Sequence, residues 1–197
     1  MTELSSRNQL YLGLFLAVLL LGTRSTHFTA LHHLPSAAWA VFFLVGAFLR
    51  PAWAFPLFYG AVSISDILSI ALSDGPHYCV FTPAYAMLLP AFGALWFAGR
   101  LYARFHQDRL ATLPFLTVTV LMGAAAAELL SSGGFYVFSG RFADPTFAEF
   151  GTRFVRYFPA NLKAISVYMG FAVILYVAAL AVTGNISKSV SIADGNR

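Results

Sequence analysis

The stretch AWAFPLFYGAVSISDILSIAL, residues 52–72, decides the fold class of this chain. It contains one charged side chain, Asp66, and it has the length of a membrane-spanning helix, which needs roughly 20 mostly apolar residues. The whole sequence of 197 residues has a similar character, with 59% hydrophobic and 10% charged residues. Soluble domains carry about 25% charged residues. The chain is therefore predicted to be an integral membrane protein built from α-helices.

Similar apolar segments recur along the sequence and predict an all-α bundle of about six transmembrane helices. We place these spans at residues 9–23, 36–49, 52–72, 81–101, 112–130 and 161–183. They leave no room for a soluble catalytic or nucleotide-binding domain. The chain is thus a single transmembrane domain with a polar C-terminal tail, residues 184–197, for which we expect no regular structure. A bend is expected at Gly133 and Gly134, and residues 141–158 are expected to form a charged amphipathic connection.

Lysine and arginine residues set the expected orientation, because cytoplasmic loops carry an excess of them. Counting them over the short connections favours both termini in the cytoplasm, in a multi-pass protein of the bacterial inner membrane. Arg24 and the cluster of Arg141, Arg153 and Arg156 then lie outside. The net charge of +4 is explained by these loops, and no nucleic-acid partner is expected.

Two acidic residues fall inside predicted spans, Asp66 in the third and Glu128 in the fifth. A charge in hydrocarbon is costly, so such residues usually face a cavity or a partner. Ser63, Asp66, Ser69 and Ser73 share one helix face by their three- and four-residue spacing. This polar stripe fits a cavity wall, and it also fits hydrogen bonding between helices. A third interpretation is a membrane-embedded hydrolase that uses both acids.

Cys79 is the one cysteine of the chain, and it lies in the loop expected to face outward. It cannot form a disulfide within the chain. A thiolate is a soft metal ligand, and a single one would suffice for a metal already held in a macrocycle. The alternative is a small buried apolar side chain. Neighbouring side chains suit a large flat ligand or an interfacial aromatic belt: His77, Tyr78, Phe81 and Tyr85.

Three further patterns give weaker signals. Arg153 and Arg156, with Tyr157, suit a phosphate or carboxylate or lipid headgroups equally well. His27, His32 and His33 lack any catalytic or metal-binding spacing. Gly13 and Ala17 form a pair of small residues that fits docking against another helix, in this chain or on a partner.

The run PHYCVFTP, residues 76–83, resembles the BtuM family of small bacterial cobalamin (vitamin B12) transporters. Chain length, span count and the long connection before the last span are also similar. That family is related to the substrate-binding S-components of energy-coupling factor (ECF) transporters. The resemblance implies an S-component-like fold, uptake of cobalamin from the outer side, and Cys79 as the axial ligand of its cobalt ion. It also implies a role of Cys79 in removing cyanide from cyanocobalamin, so enzymatic activity stays an open question.

The resemblance extends, by position, to the rest of an expected corrinoid site. Asp66, Phe81 and Tyr85 would line the cavity beside His77 and Tyr78, and Arg153 would pair with the phosphate of the nucleotide loop. Expected partners are membrane lipid and either an ECF-type energising module or a periplasmic corrinoid-binding protein. The alternatives are an S-component for another vitamin, the hydrolase already described, and a purely structural subunit.

Overall fold

The structure is a computed structural model that describes residues 5–24, 35–72, 82–106, 112–142 and 144–194, with side chains described as far as residue 178. Helices are the regular secondary structure found in these ranges. They are α1 (Ser6–Arg24), α2 (Ala38–Phe48), α3 (Ala54–Ala71), α4 (Pro83–Ala86), α5 (Leu88–Phe105), α6 (Leu113–Phe138) and α7 (Phe147–Asp194). The predicted all-α class is confirmed.

Four helical segments are long and apolar enough to cross a membrane: Ala54–Ala71, Pro83–Phe105, Leu113–Phe138 and Phe147–Ala178. In the first three, only 17%, 28% and 39% of the most apolar window is buried inside the protein. Apolar surface on this scale requires a lipid environment, because monomeric soluble proteins rarely expose large apolar patches. The structure therefore supports a helical membrane protein with four clear spans, where the sequence predicted about six.

The two remaining predicted spans differ from the clear ones in length and polarity. Helix α1 begins with polar residues and ends at Arg24. Helix α2 has 11 residues, which rise about 17 Å, little over half of a hydrocarbon core about 30 Å thick. Nine of its residues, Ala38 and then 40–47, are buried. A helix that is apolar all round lies inside other helices, and α2 packs against α1, α3, α5 and α6.

The later helices run past their predicted ends. Helix α6 continues without interruption through Gly133 and Gly134 to Phe138, and Gly134 lets the backbone of α6 pack directly against the Met87 side chain. Helix α7 begins at Phe147 and continues beyond the predicted start of the tail to Asp194. Most of the expected connection before the last span therefore belongs to α7. Pro159 lies inside this helix without ending it, and a proline inside a helix is tolerated in membrane proteins.

Contacts along the chain divide it into two compact units, Met1–Ile165 and Ser166–Arg197. The first unit contains α1 to α6 and the first part of α7. The second unit is the later part of α7. All the side-chain clusters described below lie in the first unit.

Helices α2 and α5 meet through two glycines. A methyl group added at Gly46 would overlap the Trp96 carbonyl oxygen and lie 2.9 Å from its carbonyl carbon. One added at Gly99 would overlap the Phe43 carbonyl oxygen and lie 2.9 Å from the Ala47 nitrogen. Each helix therefore presents a glycine to the backbone of the other, an arrangement typical of close helix packing in membranes.

Gly13 of α1 also lies within the protein. A methyl group at this position would meet the Leu49 side chain at 3.7 Å, an ordinary contact. The pair of small residues on α1 thus contributes, through Gly13, to packing inside this chain, which is one of the two alternatives expected from the sequence.

We expect Gly46→Ala to destabilise the protein by about 1–3 kcal/mol or more, because the added methyl group meets rigid backbone. Gly60→Ala is the matched control, since nothing lies within 4 Å of its added methyl group, and alanine is the better helix former by about 1 kcal/mol. Thermal unfolding in detergent, followed by circular dichroism, measures both variants. Equal midpoints for the two variants would contradict the close α2–α5 contact.

Candidate functional site

Asp66 forms a bidentate ion pair with Arg24. Arg24 is the last residue of α1, and Asp66 lies near the end of α3. The Nε and Nη2 atoms of Arg24 donate hydrogen bonds to Oδ1 and Oδ2 of Asp66, respectively, each at 2.6 Å. The two side chains are only 19% and 18% exposed. A parallel pair of charge-assisted hydrogen bonds is a strong arrangement, and it offsets the cost of burying either charge.

Tyr85 of α4 completes this cluster. Its hydroxyl group donates to the Asp66 Oδ2 atom at 3.0 Å. The Arg24 guanidinium lies 5.7 Å from the centre of the Phe92 ring. The cluster therefore joins the end of α1, the end of α3 and the beginning of the α4–α5 segment. We call Arg24, Asp66 and Tyr85 the clamp.

The clamp brings Asp66 and Tyr85 together. The sequence did not indicate Arg24, which counted only as a positive charge in an outer connection. The available signal was an acidic residue inside a span, which calls for a partner. Nothing in the sequence selects Arg24 from the other arginines, because it lies 42 positions from Asp66.

Glu128 has a different kind of environment. Its side chain is fully buried. Ser132, one turn later on α6, donates to Oε1 at 2.5 Å, and Asn161 of α7 donates through Nδ2 to Oε2 at 2.7 Å. No cation forms an ion pair with Glu128 in the part of the chain that the structure describes. Its two oxygens are thus satisfied by neutral donors, and one of these bonds ties α6 to α7.

A cavity of about 240 Å³ lies between the later part of α6 and the first turns of α7. It is smaller than the roughly 300–1,000 Å³ that enclose drug-sized ligands. Its lining combines hydroxyl groups, aromatic rings and one guanidinium group, from Ser131, Ser132, Phe135, Phe150, Arg153 and Tyr157. Arg153, which the resemblance assigned to a phosphate, is therefore a cavity residue. A corrinoid is far larger than this cavity, which on its own suits a smaller group.

The remaining predicted site residues, His77, Tyr78, Cys79 and Phe81, lie outside the described residues, as do Ser73, His27, His32 and His33. Among the residues that are described, no three His, Cys, Asp or Glu side chains come together to hold a metal ion. A corrinoid brings its cobalt with the equatorial positions filled, so a single axial ligand does not require such a cluster.

The chemistry available to the two acids follows from their partners. Asp66 is engaged by a cation and a phenol, and Glu128 by a hydroxyl group and an amide. Each acid has its own set of partners, and no hydrogen bond joins Asp66 to Glu128 within the described ranges. This arrangement stabilises helix packing, and it lacks the direct contact between carboxylates that a shared catalytic site would use.

The chain matches no protein-family model and no functionally characterised protein in sequence.

We expect Asp66→Asn to lower the free energy of unfolding by about 2–3 kcal/mol, because it leaves the largely buried Arg24 guanidinium without its carboxylate. Tyr85→Phe should cost about 1 kcal/mol, since it removes one hydrogen bond. The double variant Arg24→Gln/Asp66→Asn should recover part of the loss. Unfolding in mixed micelles of rising SDS content measures these variants together with Arg24→Gln alone, and a double variant as unstable as the sum of its two single changes would contradict the pairing.

For Glu128, two adjacent serines allow a matched comparison. Ser132→Ala should destabilise the protein by about 1–3 kcal/mol, because it removes a donor from a buried carboxylate. Ser131→Ala should change stability by less than about 0.5 kcal/mol, since Ser131 makes no hydrogen bond to Glu128. The same SDS titration compares them. Equal effects would show that the Ser132–Glu128 bond contributes nothing specific to stability.

Proposed function

We propose that this protein takes up cobalamin across the bacterial inner membrane, binding the corrinoid from the outer side with the Cys79 thiolate as an axial cobalt ligand. The observation that carries the proposal is the clamp. Asp66 precedes the segment that bears Cys79 and Tyr85 follows it, and their side chains are joined at 3.0 Å. Helices α3 and α4, which flank that segment in the sequence, are therefore held together.

The position of Cys79 in the sequence also supports the proposal. Cys79 lies three residues before Thr82, where the described chain resumes, and three residues of chain span at most about 11 Å. We therefore propose that the thiol acts near the beginning of α4. The proposed site would combine a soft thiolate with a neutral ion pair and the Tyr85 ring. These groups suit a large molecule of mixed polarity that carries its own metal.

The Cys79 thiolate would also assist removal of cyanide by donating electron density to cobalt. The energy for uptake would come from an ECF-type module or from delivery by a periplasmic corrinoid-binding protein.

The proposal predicts that the protein purified with cyanocobalamin has a corrin absorption spectrum shifted from that of the free vitamin. Cys79→Ala should lose the shift, because the corrinoid loses its axial sulfur. Ser69→Ala, on the last turns of α3, is the control that keeps the thiol and should keep the shift. The visible spectrum after gel filtration is the measurement.

Two outcomes would contradict different parts of the proposal. A colourless wild-type protein would exclude cobalamin and favour an S-component for another vitamin, whose identity mass spectrometry of the co-purified ligand would reveal. A Cys79→Ala variant with the unchanged shifted spectrum would leave corrinoid binding in place and exclude the thiolate as the ligand.

A further inference from the structure

The Arg153 side chain is held in place by aromatic rings. Its guanidinium carbon lies 4.6 Å from the centre of the Phe142 ring and 5.7 Å from that of the Tyr157 ring. A cation over an aromatic face is stabilised by the ring quadrupole. These contacts occupy guanidinium faces and leave the N–H donors at the edges for a ligand.

Those donors have no partner in the described protein. Arg153 makes no hydrogen bond and no ion pair with any acid, and it is neither fully buried nor fully exposed. A half-buried cation with five unused donors is unusual, because buried charges are normally paired. Arg153 differs in this from Arg24, whose donors are used by Asp66. These donors are thus available to an anion that enters beside Arg153 from outside the described residues.

The cavity beside Arg153 indicates the size and chemistry of that anion. At about 240 Å³ it holds a group several times the volume of a water molecule, which occupies about 30 Å³ in the liquid. Ser131 and Ser132 add hydroxyl groups to the lining, and three aromatic rings add apolar walls. A forked cation with hydroxyl donors suits a phosphate group, and the rings suit apolar atoms attached to it.

We propose that this cavity binds the phosphodiester group of a membrane phospholipid. The cavity lies near the end of α6, at Phe138, and near the beginning of α7, at Phe147. Both helices are long enough to span the membrane, so their adjoining ends lie towards one membrane surface, where phosphates are found. Phe147, one turn before the cavity residue Phe150 on α7, is exposed and provides apolar surface for acyl chains.

This site does not depend on cobalamin. A free phosphate has the same chemistry, and the apolar surroundings favour the lipid as its source. The site also differs from general attraction of basic residues to lipid headgroups, because it requires one particular arginine. Arg156, one turn away on the same helix, contacts only the Tyr157 ring at 5.9 Å and does not line the cavity.

The test uses the full chain, delipidated in detergent and titrated with phosphatidylglycerol, with bound lipid counted by native mass spectrometry. Diacylglycerol with the same acyl chains is the control without phosphate. We expect wild type to retain phosphatidylglycerol and not diacylglycerol. Arg153→Gln should weaken retention at least about tenfold, since charged hydrogen bonds contribute about 1.5–3 kcal/mol. Arg156→Gln should change it by less than about twofold, as expected of an exposed charge.

Other outcomes would overturn the proposal. Equal weakening by both substitutions would indicate general surface charge. Unchanged binding by Arg153→Gln would exclude the cavity as the site. Displacement of the lipid by millimolar inorganic phosphate would assign the cavity to a free phosphate. Arg153→Lys, which keeps the charge and loses the fork, provides the comparison if the glutamine variant fails to fold, and wild-type retention by it would contradict bidentate recognition.

Discussion

The backbone contact between α2 and α5 at Gly46 and Gly99 is the constraint on which the rest of the bundle depends. In a bilayer, apolar side chains gain little by leaving lipid for protein, so helices associate mainly through close packing and interhelical hydrogen bonds. Two glycines permit such packing here. At each of them a carbonyl oxygen of the opposite helix lies where the methyl group of an alanine would overlap it. The short helix α2 is thereby fixed against α5, and α1, α3 and α6 also pack against it.

The acidic side chains inside the bundle still need partners, and Asp66 and Glu128 have partners of two different kinds. Asp66 is paired with a cation, so its charge is neutralised where the ends of α1, α3 and α4 meet. Glu128 is fully buried and receives hydrogen bonds from a serine and an asparagine. The first cluster joins α1, α3 and α4, and the second ties α6 to the beginning of α7. Arg153 is the contrasting case, a cation in a cavity with donors that the described protein leaves unused.

The candidate site was therefore only partly predictable. An acid inside an apolar span is visible in any sequence, and so is a single cysteine in a polar loop. The partners are not, since Arg24 lies 42 positions from Asp66 and Asn161 lies 33 positions from Glu128. Helix periodicity places residues on a face of their own helix, and it does not say which helix lies opposite.

The sequence by itself determined that this protein is helical and belongs in a membrane, because the length and apolarity of a segment depend only on its own residues. It also located the acidic residues within the spans. Only the tertiary structure decided that α2 is short and buried, that α6 and α7 continue through glycine and proline, and which partner each charge has. These features depend on contacts between distant segments, whose energies are set by close packing and by the cost of leaving a buried polar group without a partner.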